Sequence, residues 1–220
     1  MKLHKLSMAL AIAGVAAIST SAFADDTHNS GFFAGVGAGY NSMNLPSGSI
    51  TDTDNSDTTT ATLSSKKYMF NIHGGYLFDM GSGFDIGPML NFAYYGPINA
   101  NITSTTATGL AAGQSIKLNI YNFSLQAVGQ YTWQSFFARV NAGEGYFMIR
   151  ANDDHADSEN QWKPVAGLSV GYYFTPAIDV GVFYQHVFGS SYADGDGVPR
   201  MNSVGLSVEY AFGGMNDSAN

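Results

Sequence analysis

Large apolar and small polar residues alternate along most of this chain. The final run, Ser203-Val204-Gly205-Leu206-Ser207-Val208-Glu209-Tyr210-Ala211-Phe212, does so almost without a break. Val204, Leu206, Val208, Tyr210 and Phe212 share one phase, while Ser203, Gly205, Ser207, Glu209 and Ala211 share the other. Successive side chains of a strand take opposite faces, so this is a strand with one greasy face and one small or polar face. Seven earlier runs have the same character, at 31–42, 66–78, 83–95, 115–133, 136–149, 161–174 and 178–188. The segments between them alternate long and short: 45–65, 96–113, 150–160 and 189–200 are long, and 79–82, 134–135 and 175–177 are tight turns. An even number of strands, with both ends on the short-turn side, predicts an all-β fold. It is an eight-stranded antiparallel up-and-down transmembrane β-barrel with lipid outside and a polar interior.

Each strand carries its own detail. In the first, Gly35, Gly37 and Gly39 face inward, which suits a narrow barrel where a neighbour's long side chain needs room. No helix pattern follows them, so they are not a phosphate loop. Pro88 costs its strand a ladder donor, which predicts weak pairing or a bulge there. The run 115–133 exceeds the ~9–11 residues that a tilted strand needs, so its first part should project beyond the lipid. The segment 45–65 has no apolar period and is expected to be a mobile loop. Strict alternation would put Glu144 on the lipid face, so a bulge at Gly143 or Gly145 is expected to turn it inward, toward Arg139 or Lys163. Tyr76, Phe78, Tyr131, Trp133, Tyr172, Phe174, Tyr210 and Phe212 lie at the short-turn ends of four strands and read as one aromatic girdle.

Composition sharpens the picture. Charged residues are 12% of the 220, about half the share usual in a soluble domain, while aromatics reach 14%. There is no cysteine, which excludes disulfides and thiolate metal sites. Residues 1–24 have a basic start, an apolar run over 8–18 and Ala22-Phe23-Ala24 before Asp25; this reads as a signal peptide cut between Ala24 and Asp25. A polar leader (25–30), the barrel (31–213) and a tail (214–220) complete the expected organisation. Losing Lys2 and Lys5 from nine basic residues leaves seven against seventeen acids, a net charge of −10, so no nucleic-acid partner is expected.

An eight-stranded barrel is just wide enough to be filled by side chains. The inward polar residues Asp85, Gln126, Gln130, Arg139, Glu144, Lys163, Asp179, Gln185 and Glu209 are therefore expected to form a hydrogen-bonded plug, with charges paired. His73 is expected to be a lumen hydrogen-bonder. His28, His73, His155 and His186 lie in no metal-ligand spacing, and neither a metal nor a cofactor is expected. His186 with Ser190 and Ser191 is the one arrangement with catalytic potential, and an interfacial role fits it better. The acids Asp153, Asp154, Asp157 and Glu159, with Asp194 and Asp196, read as solvated surface charge.

The runs Gly31-Phe32-Phe33-Ala34-Gly35-Val36-Gly37-Ala38-Gly39-Tyr40, Val182-Phe183-Tyr184-Gln185 and Gly205-Leu206-Ser207-Val208-Glu209-Tyr210-Ala211-Phe212-Gly213 carry a resemblance. The chain resembles the small eight-stranded barrels related to the OmpA transmembrane domain and the opacity-type surface antigens. Ser203, Gly205, Val208, Tyr210 and Phe212 resemble their terminal assembly signal, although residues 213–220 follow it here. The resemblance implies a non-enzymatic monomer in the Gram-negative outer membrane, with surface loops and periplasmic termini. Its expected partners are outer-membrane lipids, lipopolysaccharide and the barrel-assembly machinery, with host-cell or matrix molecules met by the loops. The family's cell-wall tether is not expected. A surface antigen, adhesin or envelope-structural role leads; a narrow channel for small or hydrophobic molecules, or a lipid A-modifying enzyme, stands as the alternative.

Overall fold

The computed structural model describes residues 30–45, 49–54, 57–106, 112–151, 159–190 and 197–212. Ten strands form: β1 (Gly31–Met43), β2 (Ser49–Asp54), β3 (Asp57–Ser65), β4 (Tyr68–Asp79), β5 (Phe84–Thr105), β6 (Ser115–Trp133), β7 (Phe136–Ala151), β8 (Glu159–Thr175), β9 (Ile178–Val187) and β10 (Met201–Ala211). Eight of them make one sheet in the order β5-β4-β1-β10-β9-β8-β7-β6, and pairing of β5 with β6 closes it. Every neighbouring pair is antiparallel. Closure leaves no lipid-exposed edge, the condition for backbone to cross a bilayer as strands.

The sequence phase sets the faces. Phe32, Val36, Ile72, Leu90, Leu125, Val140, Leu168, Val182 and Leu206 are exposed on the outer wall, while Asp85, Asn91, Gln126, Gln130, Ser169, Ser207 and Glu209 are buried inside. At the short-turn end the rings Tyr131, Trp133, Phe136, Tyr172 and Phe174 follow one another at 5.1–6.0 Å. Phe32–Tyr76 and Tyr210–Phe212 extend the same girdle. A second belt lies at the other end, where Tyr68, Tyr94 and Tyr121 adjoin in sequence and Tyr146 meets Trp162 at 5.2 Å.

Two expectations of the chain's organisation need correction. The segment 45–65 is not a structureless loop: β2 and β3 form a hairpin, and β3 pairs with the outer part of β5. That outer part is itself unexpected, because β5 continues through Gly96 and Pro97 to Thr105. A register shift between Tyr94 and Pro97, with Gly96 at φ 75°, absorbs one extra residue of β5, and Pro97 is again paired, with Asn119. β6 runs the full length expected, and its first part pairs with this part of β5 (Ile98↔Leu118, Asn101↔Ser115). The β4–β5 ladder also weakens where Pro88 lies. Pairing stops at Gly75↔Met89 and resumes at Phe78↔Ile86 without a change of register.

Candidate functional site

The lumen is built in two layers. At the waist, Arg139 of β7 is buried and its Nη1 lies 2.7 Å from both carboxylate oxygens of Glu209 on β10. Its Nε and Nη2 donate to Gln130 Oε1 at 2.9 and 2.8 Å. Gln130 Nε2 then donates to Tyr173 Oη at 3.0 Å and Thr132 Oγ1 at 3.2 Å. His73 Nε2 stands 3.0 Å from Glu209 Oε1. The rings of Phe33 (4.8 Å) and Phe137 (5.2 Å) lie against the guanidinium. Asp179 lies directly opposite Glu209 in the β9–β10 register, so one guanidinium and His73 face two carboxylates. Asn141 Nδ2 donates to Gln126 Oε1, and Gln126 Nε2 to Ser124 Oγ at 2.8 Å. Asp85 is buried beside this layer, in register with Gln130.

Above the waist the lumen is apolar. Met69, Ala93, Tyr95, Ile98, Ile120, Phe147, Ile149, Val165, Phe183, Val187 and Met201 pack into one buried cluster, flanked by Met43, Leu45, Leu63 and Leu118. Val198, from the connection between β9 and β10, is fully buried in it. Ser190 N–H bonds Val198 O at 2.9 Å, and Val198 N–H bonds Gln161 Oε1 of β8 at 3.3 Å. Polar bonds stitch the two layers: Tyr95 Oη donates to Gln185 Oε1 (3.1 Å), and Asn41 Nδ2 donates to the Tyr95 carbonyl (3.1 Å).

Of the nine residues expected inside, the structure joins Gln130, Arg139 and Glu209 directly, sets Asp85 and Asp179 in register with Gln130 and Glu209, bonds Gln126 to Asn141 and Ser124 farther along β6, and places Gln185 next to Tyr95. Lys163 faces inward but sits at the outer mouth, donating to Ser190 Oγ at 2.9 Å. Glu144 is the error. It is exposed on the outer wall, in register with Leu125 and Pro164, and no shift interrupts β7 on either side. Gly143 and Gly145 serve a different purpose from the expected bulge. A Cβ at Gly143 would lie 2.0 Å from the Leu125 carbonyl, and one at Gly145 would lie 2.3 Å from Asn122 Nδ2. They make room inside the wall.

The assembly-signal residues fall in the closing strand. Ser203 Oγ donates to Asn41 Oδ1 at 3.0 Å, Gly205 faces β1 where a Cβ would meet the Ala38 carbonyl at 2.3 Å, and Val208 and Tyr210 take the outer phase. Phe212 N–H bonds the Phe32 carbonyl at 2.7 Å. The sequence reading missed Tyr173, Tyr95 and Asn41, all on the inward phase. It also missed the apolar mouth, whose signal was present: Tyr146-Phe147-Met148-Ile149 and Phe92-Ala93-Tyr94-Tyr95 are apolar on both phases. His186 Nδ1 lies 2.8 Å from Asn202 Oδ1, with its ring against Phe188. Ala24, Asp25, His28, His155, Ser191, the tail 214–220 and the acids Asp153, Asp154, Asp157, Asp194 and Asp196 lie outside the described residues.

An uncharacterized protein of Coxiella burnetii (strain RSA 493 / Nine Mile phase I) is 25% identical over 223 residues, covering 86% of this chain and 88% of the relative. The solved structure of OprG from Pseudomonas aeruginosa is 13% identical, with a TM-score of 0.49 over 83% of this chain and 97% of its own. Ail, the attachment invasion locus protein of Yersinia pestis, is 13% identical, with a TM-score of 0.45 over 82% and 98%. The family model for the outer membrane protein beta-barrel domain matches residues 10–212. The chain belongs to that outer-membrane β-barrel family, and its place is the Gram-negative outer membrane.

Proposed function

We propose that this protein is a surface-display barrel, of the adhesin or surface-antigen kind, in which the lumen is structural and the outer end makes contact with host-cell or matrix molecules. The observation that carries this reading is the sealed mouth: Val198 and the buried ring of Tyr95, Ile120, Phe147, Val187 and Met201 fill the lumen at its outer end. A lumen filled this way serves stability rather than passage. Two further features support it. Strands β5 and β6 run past the outer aromatic belt, and the β2–β3 hairpin, rich in Thr, Ser and Asp, is added to their sheet. Together they raise a polar β-platform above the lipid, and binding surfaces are commonly carried by such loops on a rigid scaffold. The partners in this reading are lipopolysaccharide around the rim and an extracellular protein or glycan at the platform. The chain acts as a monomer with no cofactor.

The test is display of the intact protein on a heterologous Gram-negative host, beside a version with residues 46–65 and 99–114 replaced by short Gly-Ser turns. Equal surface levels are first checked by protease accessibility. Attachment to epithelial cells and matrix proteins should appear with the intact form and vanish with the trimmed one. Equal attachment by both forms, or by neither, removes the reading. Conductance in planar bilayers then becomes the next measurement, because a channel needs the mouth to open.

A further inference from the structure

Lys2 and Lys5 apart, the chain has seven basic residues, and their placement is one-sided. Arg139 is at the waist and Lys163 is inside the mouth. The other five, Lys66, Lys67, Lys117, Arg150 and Arg200, stand at or just beyond the outer ends of their strands. Lys66, Lys67, Lys117 and Arg200 are exposed, and among the described residues no basic side chain lies at the short-turn end. Two of the five form a pair. β6 and β7 keep one register from Leu118↔Ala151 to Trp133↔Phe136, and in it Asn119 faces Arg150. Asn119 points outward with Lys117 and Tyr121, because its Oδ1 accepts the Tyr94 hydroxyl at 3.1 Å and the Tyr94 ring lies 5.2 Å from that of Tyr121. Lys117 and Arg150 are therefore diagonal neighbours on the outer face, about 7–8 Å apart along the backbone, a spacing at which an ammonium and a guanidinium close on one phosphate.

Their height selects the ligand. Each stands four residues beyond the aromatic that its own strand gives to the outer belt, Tyr121 on β6 and Tyr146 on β7. At ~3.3 Å per residue and a tilt of ~40°, that is about 10 Å above the belt. The head-group layer of a phospholipid bilayer is only roughly 5–8 Å deep on each side. A phospholipid phosphate therefore lies below the pair, while the phosphorylated sugars of lipopolysaccharide stand at its level. Both side chains leave the wall sideways, over the lipid, which favours a lipid neighbour over a soluble polyanion arriving from above. Below them the same face is apolar, with Phe123 and Leu125 exposed to receive acyl chains.

We propose that Lys117 and Arg150 clamp a phosphate on the sugar head of one lipopolysaccharide molecule, whose acyl chains lie against β6 and β7 beneath the pair. The site rests on the reading above, in which lipopolysaccharide surrounds the rim, and gives that contact one tight, local seat.

The test is native mass spectrometry of the full folded protein in detergent, titrated with a rough lipopolysaccharide in EDTA so that no divalent cation bridges the anions. One molecule should bind per barrel in a saturable step. Lys117→Gln and Arg150→Gln should each weaken that step about fivefold, the share of one cation beside an anionic lipid, and the double variant should weaken it further. Arg200→Gln removes the same charge on the far side of the barrel and should leave the affinity within about twofold. Heat-modifiable gel mobility checks that each variant is folded. The same lipopolysaccharide stripped of its phosphates, and phosphatidylglycerol, should bind the parent no better than they bind the double variant. Equal losses from Arg200→Gln and Arg150→Gln would overturn the proposal in favour of diffuse charge. Equal losses with phosphatidylglycerol, or dephosphorylated lipopolysaccharide that binds as well as the intact form, would overturn the phosphate clamp. A heparin fragment that binds with the same losses and displaces lipopolysaccharide would give the pair to a soluble polyanion instead. Lipopolysaccharide that binds the parent and is indifferent to both substitutions would overturn this site and leave the rim contact standing, whereas no binding to the parent would overturn both.

Discussion

At the waist of the barrel the inward residues are Arg139, Glu209, His73, Gln130 and Asp179; toward the mouth they are Tyr95, Ile120, Phe147, Val187 and Met201. Both layers sit inside the same closed sheet. The waist is held by charge-assisted bonds of 2.7–2.9 Å that need defined partners in defined places. The mouth is held by close packing, which needs volume and shape but no partner atom. The difference teaches where specificity and where tolerance reside. A polar layer loses heavily when one member is removed, because the others stay buried and unpaired. An apolar layer loses in proportion to the cavity left.

The comparison breaks first at Arg139. Arg139→Met leaves Glu209 and Asp179 buried without their guanidinium, and should cost about 3–5 kcal/mol. The double variant Arg139→Met with Glu209→Gln should recover most of that. Urea unfolding of folded protein in detergent micelles, followed by tryptophan fluorescence, reads both. A single variant as stable as the parent would show that the ion pair is not what holds the waist.

The mouth gives the next effect. Ile120→Ala removes a fully buried side chain and should cost about 2–5 kcal/mol, its exact value set by how far Phe147 and Val198 collapse into the space. Permeation sharpens the contrast. Either variant alone leaves one layer closed, so neither should conduct in planar bilayers, while the combined variant should show discrete current steps. Steps from Ile120→Ala alone would mean that the waist does not seal.

Much of this was readable in advance because a barrel wall obeys period two. Each outward and inward assignment from Phe32 to Val208, Glu144 apart, followed from phase alone, and so did the inward placement of Gln130, Arg139 and Glu209. Which inward residues touch was not readable, since Arg139 and Glu209 are 70 positions apart and meet through strand order and tilt. The β2–β3 hairpin left no trace in side-chain pattern because its residues gain their strand state from main-chain pairing, β2 to β3 and β3 to β5. Gly96 looked like the start of a long connection and lies at a bulge, beyond which β5 goes on. The mouth was overlooked for a simpler reason. Apolar residues on both phases mean burial on one side by lipid and on the other by protein, and only the first of these was considered.

A smaller effect tests the balance of charge within the waist. Asp179 faces Glu209 directly across β9–β10, and like charges in that position oppose pairing by about 0.2–1 kcal/mol. Asp179→Asn keeps the shape and should raise stability by that amount at neutral pH, measured against the parent under identical detergent. A loss of more than this would mean that Asp179 shares Arg139 with Glu209 instead of competing for it.

The smallest effect belongs to the charge on the wrong side of the wall. Glu144 is two residues below the Tyr146–Trp162 pair, so at ~3.3 Å per residue and a tilt of ~40° it lies about 5 Å beneath the outer belt. A glutamate at that depth can extend its carboxylate to the head groups, and the cost of a lipid-facing charge falls to about 0–1 kcal/mol near the interface. Glu144→Leu should therefore change stability by no more than that, in the stabilising direction. Depth, not charge itself, carries this argument, and the same strand supplies the control. Val140 is outward and four residues deeper, about 10 Å farther from the outer belt. Val140→Glu should then cost clearly more than Glu144→Leu gains, approaching but staying below the ~2–4 kcal/mol of a midplane arginine or lysine. Equal costs at the two depths would place Glu144 in the centre of the bilayer and move both aromatic belts with it.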